Sequence, residues 1–169
     1  RSFSGMNTLS ALDKIRAKVF ADRHALKREL DQHHSGRTTV LTNGCFDLIH
    51  RGHILTLTGA RSQGDLLIVA LNTDESVRKL KGPTRPVTSQ EDRAFVMAAL
   101  ACVDYVTFFG EETPVETIRI LAPRVHVKGG DYKPEDLPER EIVLSLGGRL
   151  VVLPFEQGYS TTAILEKSK

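Results

Sequence analysis

The chain has no tryptophan, two cysteines and few aromatic residues, and no apolar stretch approaches the ~18 residues of a membrane span. Each shortage excludes something. Cys45 and Cys102 stand far apart with no C-x-x-C pair, which argues against a disulfide framework and against a cysteine-based zinc site. A net charge of +2, with no basic stripe interleaved with aromatics, does not suggest a nucleic-acid binder. No signal peptide is visible, and Arg1–Gly5 ahead of Met6 reads as an expression scar before the expected native start. These absences point to a cytoplasmic protein with neither membrane nor nucleic acid among its partners. At 169 residues one domain is expected, large enough to bury a core without staples.

What is present is an alternation. After a charged, amphipathic stretch at Ser10–His34, with Leu12, Ile15, Val19, Leu26 and Leu30 near helical spacing, short apolar runs alternate with helical patterns. The helical stretch is expected as one helix or a broken pair, packed on the domain or on a second subunit. The strand candidates are Thr38–Leu41, Leu66–Leu71, Tyr105–Phe109, Arg124–Val127 and Leu150–Leu153. Helices are expected over Ile49–Gln63, Ser89–Leu100, Pro114–Leu121, Pro138–Leu146 and Ser160–Lys167. Thr88 to Glu91 fits a capping box with Thr88 as N-cap. The strands are apolar almost throughout, as in a parallel sheet covered on both faces. The expectation is a doubly wound, Rossmann-like α/β fold of five parallel strands, with its ligand beyond the C-terminal strand ends. Residues 10–36 would be a helical segment and 37–169 the catalytic domain.

The most informative stretch is Thr42–His53. Asn43-Gly44 follows the first strand candidate, and His50 and His53 lie three apart with Gly52 between. On a helix this spacing sets both imidazoles on one face of the first turn, where unpaired N–H groups and the dipole favour an anion. An isolated H-x-x-H more often decorates a solvated face. Strand, turn and glycine together favour a phosphate grip.

Other loop positions carry matching chemistry. Asn72, Thr73 and Asp74 precede a basic run, Arg78, Lys79, Lys81 and Arg85, broken by Gly82 and Pro83; it reads as a mobile loop able to close on a triphosphate, or as a solvated turn. Arg93 opposes a helix dipole near its N-terminus, which a bound anion would justify, with a surface arginine as the alternative. Lys128-Gly129-Gly130-Asp131-Tyr132 offers close backbone approach to a flat nucleobase, or a simple turn. Ser160, Thr161 and Thr162 put three hydroxyls at a helix start able to donate to phosphate oxygens, where ordinary capping explains one of them and not all three.

Together these motifs resemble the cytidylyltransferase-like nucleotidyltransferases, whose H-x-G-H is matched by His50-Arg51-Gly52-His53 and whose Ser-Thr-Thr is matched by Ser160-Thr161-Thr162. Over Thr39–Lys167 the runs TNGCFDLIHRGH, NTDESVRKLKGPTRPV, VKGGDYKPEDL and GYSTTAI are similar to the branch that adenylylates heptose 1-phosphate for bacterial lipopolysaccharide, in its stand-alone form. The resemblance implies ATP and a sugar 1-phosphate as substrates, magnesium carried mainly by the ATP phosphates, no dedicated metal site, and a homodimer. It implies His50, His53, Lys81 and Arg93 as catalytic residues. Asn43, Gly44, Cys45 and Phe46 would line the nucleotide pocket with Lys128, Gly129, Gly130, Asp131 and Tyr132, and Ser160–Thr162 would hold phosphate. Asp47 and Asp74 match acidic positions, with substrate and magnesium contact both open. Tyr159 departs from the small residue expected before Ser-Thr-Thr. The rival expectations are a cytidylyltransferase for glycerol 3-phosphate and a nucleotide-binding regulatory module.

Overall fold

The computed structural model describes residues 10–154 and 158–167, so the scar and start expected at 1–9 lie outside it. Five strands, β1 (Thr39–Gly44), β2 (Leu66–Asn72), β3 (Tyr105–Phe109), β4 (Val125–Gly129) and β5 (Arg149–Leu153), form one sheet in the order β3-β2-β1-β4-β5. Every pairing is parallel. The chain winds outward from β1 to β3, then returns past β1 to β4, so the strand order reverses beside β1. In such a sheet this switch point opens a crevice at the C-terminal strand ends.

Helices cover both faces, which is why β2 is buried along its whole length. On one face α1 (Ala11–Arg16), α3 (Arg51–Arg61) and α5 (Gln90–Ala99) pack a core of Val40, Leu57, Leu67, Val69, Leu71, Met97 and Val106. On the other, α2 (Arg23–His33), α6 (Val115–Leu121) and α7 (Arg140–Ser145) enclose Leu26, Leu30, Leu41, Ile68, Ile118 and Val143. Alternate residues of β1, Val40 and Leu41, thus serve opposite cores, as the strand's period of two requires.

The N-terminal stretch is a broken pair of helices packed on its own domain. Between them the chain extends along the sheet edge: Phe20 N–H donates to Val106 O at 2.9 Å and Val106 N–H to Lys18 O at 2.9 Å. β3 would otherwise present an open row of backbone groups, and this segment covers it. α2 starts under an Asp22 cap, whose side chain accepts from His24 N–H.

Three local expectations are corrected. The cap of α5 is Ser89, which accepts from Asp92 N–H at 3.2 Å, and not Thr88. Thr88 is instead drawn away by Asp47, to which both its N–H and its hydroxyl donate. The helix after β1 begins at Arg51, with His50 at the N-cap. Most of the basic run is no loop: α4 (Asp74–Lys81) carries Arg78, Lys79 and Lys81 in its last turn, where cations complement the dipole. Glu75 and Lys79 pair along it, and Thr73 caps its start. Only Gly82–Arg85 remains as loop. The last helix, α8 (Thr161–Lys167), follows Ser160, which accepts from Ala163 N–H at 3.1 Å.

Candidate active site

A cavity of about 160 Å³ opens at the switch point. Its floor is Thr42, Asn43 and Gly44 at the end of β1, followed by Cys45, Phe46 and Asp47; Gly129 closes it from β4. His53 and Thr56 face it from α3, Lys81 and Arg85 from the segment after β2, and Thr161 from the start of α8. Residues scattered over more than a hundred positions converge because all leave the same edge of the sheet.

The turn after β1 is built on small clearances. Gly44 has no room for a side chain, since a Cβ there would lie 2.9 Å from the Phe46 ring. Phe46 itself holds φ at 46°, a left-handed conformation that a bulky residue adopts only when its surroundings enforce it. Its ring rests 5.1 Å from that of His53, centroid to centroid. Gly52 is needed for a related reason: a Cβ would stand 3.1 Å from the His50 imidazole and from Tyr159 Cβ. The glycine of H-x-G-H here makes room for a histidine ring and for Tyr159.

His50 and His53 stack, with centroids 3.8 Å apart and planes at 20°. Two charged rings would repel at that distance. Burial first, then His50 and Lys81, push the His53 pKa down to about 4, and burial lowers that of His50. Both are therefore neutral near pH 7, and act as hydrogen-bonding groups and not as cations. The backbone N–H of His50 points at His53 Nδ1 at 3.4 Å. An accepting Nδ1 leaves the ring proton on Nε2, so His53 offers Nε2–H to a ligand.

The positive charge comes from Lys81 and Arg85. Lys81 is exposed and has no ion pair among the described residues. Arg85 donates from Nε to Asp47 Oδ2 at 2.7 Å, while its Nη2 is buried without a partner among the described residues. Asp47 is saturated from within, accepting also from Val87 N–H at 2.9 Å and Thr88 N–H at 3.0 Å. Burial pulls its pKa upward, but these hydrogen bonds outweigh it and hold the carboxyl below its usual range. Burial raises the Cys45 thiol against the pull of Lys81, Arg93 and Arg85, so the thiol stays protonated and is no nucleophile.

Arg93 is not brought into the cavity. Its side chain is fully buried and donates to Cys45 O at 2.7 Å, Asp74 Oδ1 at 2.8 Å and Thr88 O at 3.2 Å. It ties together the loops after β1 and β2 and the segment leading into α5. Thr161 lines the cavity and its hydroxyl donates to Leu48 O at 3.3 Å, whereas Thr162 is exposed. Asp131 and Tyr132 are exposed and outside the cavity, and Gly130 anchors the loop by donating to Leu153 O at 2.9 Å.

Lys128 turns away as well. Its Nζ stands 3.0 Å from Glu139 Oε1, which lies 3.4 Å from Nε2 of the fully buried His126. Sequence reading missed this cluster, since His126 looks like any polar residue in an apolar strand and Glu139 lies eleven positions beyond Lys128. Burial alone would raise the Glu139 carboxyl, but His126 and Lys128 hold it down at about 2, and burial keeps His126 neutral. A depressed carboxylate adds stability above its unfolded pKa, near 4.5, and loses it as pH falls toward 2. Urea unfolding of Glu139→Gln is thus expected to show a deficit on the order of a few kcal/mol at pH 6 that shrinks as pH falls below about 4.5. A deficit independent of pH would assign Glu139 to packing alone.

Thr42, Thr56 and Arg85 are cavity residues that sequence reading also passed over as individual sites. Thr56 was findable: it lies three residues beyond His53, about one turn further along the same helix.

The fold is the Rossmann-like one of the nucleotidyltransferases. The cytidylyltransferase-like family profile matches residues 41–167, and the chain belongs to that family. It is 54% identical over 132 residues to the bifunctional protein HldE of Trichlorobacter lovleyi, covering 78% of this chain and 27% of that protein. The HldE protein of Vibrio cholerae is 52% identical over 134 residues, 79% of this chain and 28% of its own length. The chain therefore spans under a third of these relatives. Among solved structures, a lipopolysaccharide core biosynthesis protein from Thermoplasma volcanium superposes with a TM-score of 0.59 at 25% identity, over 74% of this chain and all of that one. Pantoate-beta-alanine ligase from Francisella tularensis shares the fold, with a TM-score of 0.58 at 14% identity, over 82% and 67% of the two chains.

Proposed function

We propose that the chain transfers the adenylyl group of ATP to D-glycero-β-D-manno-heptose 1-phosphate, giving ADP-heptose and pyrophosphate for lipopolysaccharide core synthesis in the cytoplasm. The observation that carries this reading is the cavity, where a neutral His53, Lys81 and Arg85 converge on the switch point and no activated nucleophile accompanies them among the described residues. Identity above 50% to HldE proteins and the likeness to a lipopolysaccharide core biosynthesis protein support the acceptor.

The residues suit a reaction that needs orientation more than acid–base chemistry. The acceptor phosphate is already an anion at pH 7. Its oxygen forms a bond to the α-phosphorus as the α–β bridging bond breaks, and pyrophosphate leaves with the electron pair. His53 Nε2–H would donate to a phosphate oxygen whose charge grows in the transition state, with Lys81 following the leaving group. Gly129 and the loop after it would receive the base, and Thr161 a phosphate oxygen. Arg93 acts here as a positioning residue.

Magnesium would arrive on the triphosphate, neutralising phosphate charge. Asp47, the carboxylate that lines the cavity, is saturated by Arg85, Val87 and Thr88, so the ion would be held mainly by the phosphates.

Pyrophosphate release tests the reading. ATP with heptose 1-phosphate should support turnover, and CTP with glycerol 3-phosphate should not. The reverse preference would make the chain a cytidylyltransferase, and nucleotide binding without turnover of either pair a regulatory module.

A further inference from the structure

We propose that Arg85 binds the phosphate of the acceptor, and that Asp47 holds its guanidinium ready to do so; this rests on the adenylyltransferase reading above. Three cations lie on the β2 flank of the cavity, and their surroundings separate them. Arg93 is spent on protein oxygens and has no exposed side-chain surface. Lys81 is exposed and without an ion pair among the described residues, a flexible charge able to follow a departing product. Arg85 is neither. Its side chain is 13% exposed, lines the cavity, and is fixed through Nε to an aspartate that is itself fixed by Val87 and Thr88.

Of its five N–H donors, Nε is the one with a partner among the described residues, and Nη2 is buried without any. A folded protein rarely leaves a guanidinium nitrogen buried and unpaired unless a ligand or water supplies the acceptor. A planar fork clamped on one side and unsatisfied elsewhere is suited to fixing two oxygens of a phosphate.

Topology indicates which phosphate. The strand order sets Gly129, after β4, and Arg85, after β2, on opposite flanks of β1 and the start of α3. With the base toward Gly129 and the nucleotide phosphates over α3, the β2 flank is left for the leaving pyrophosphate and the acceptor. In-line attack demands that the acceptor oxygen be held on one trajectory, while the leaving group must be let go. The rigid cation fits the first task and the flexible Lys81 the second.

Arg85→Lys keeps a cation for Asp47 and removes the fork. It should raise KM for heptose 1-phosphate about tenfold or more, with the affinity for a non-hydrolysable ATP analogue, measured by calorimetry, within about threefold of wild type. Thermal unfolding near the wild-type midpoint would confirm that the variant is folded. Equal losses for acceptor and ATP analogue would place Arg85 on the triphosphate, and unchanged kinetics would reduce it to a strut for Asp47; either overturns the proposal. A separate arm does not depend on turnover. Inorganic phosphate titrated into protein saturated with the ATP analogue should bind wild type and not Arg85→Lys. Phosphate binding that survives in the variant overturns the assignment. Absence of turnover by wild type with the heptose, together with Arg85-dependent phosphate binding, would sink the heptose reading alone.

Discussion

Replacing His53 with alanine is expected to lower kcat by about a hundredfold, the scale of losing one transition-state donor, while KM for ATP changes little. The ring is half-buried, lines the cavity, and is oriented by the His50 N–H at Nδ1, by stacking on His50 and by the edge of Phe46. A donor so fixed before substrate arrives costs nothing to reorganise during reaction. The ring stays neutral from pH 7 down to about 4, so the wild-type pH–rate profile should show no limb near 6.5 from this residue. A histidine with a lowered pKa stabilises the fold above its unfolded value and less so as pH falls from 6.5 toward 4. His53→Ala should therefore lose that part of the acid sensitivity between those values. Wild-type kcat in the purified variant would remove His53 from catalysis, and a limb near 6.5 that disappears in the variant would mean that the charged ring takes part.

Arg93→Met should be the most damaging single change to the scaffold. The substitution keeps the volume roughly constant but leaves Cys45 O and Thr88 O without their donor and Asp74 without its cation. Breaking a buried pair costs about 3–5 kcal/mol; Asp74 retains some contact with water, so the lower end is expected. For a chain of this size that is roughly a 6–12 °C fall in the unfolding midpoint. Activity should fall further than stability accounts for, because the loops bearing Cys45–Asp47, Asp74 and Thr88 lose their common anchor. A variant that melts like wild type and turns over normally would show that Arg93 anchors nothing.

Much of the frame was legible because parallel strands buried on both faces must be apolar throughout. Leu66–Leu71, a single unbroken run, is the strand that the structure buries from end to end. The H-x-G-H stretch was legible for another reason: strand, turn and helix start are adjacent in sequence, so their geometry is local. Local competition between partners was harder to read. Thr88 and Ser89 are both good caps, and the choice went to Ser89 because Asp47, more than forty residues away in the chain, captures Thr88. The basic run looked like a loop because of Gly82 and Pro83, yet these only end α4, whose capping threonine and Glu75–Lys79 pair support a helix up to Lys81.

Sequence by itself determined the alternation of strand and helix, the parallel sheet and the placing of the two-histidine turn after its first strand, because each follows from periodicity and neighbours in the chain. Which charged groups remain available to a substrate was decided only in three dimensions. Arg85, Arg93 and Lys128 are equally cationic on paper. Asp74 and two carbonyls consume Arg93, Glu139 draws Lys128 inward, and Asp47 holds Arg85 by one nitrogen and leaves the rest unspent. Charge is a property of the residue, but its availability depends on long-range partners that the folded chain alone brings within hydrogen-bonding distance.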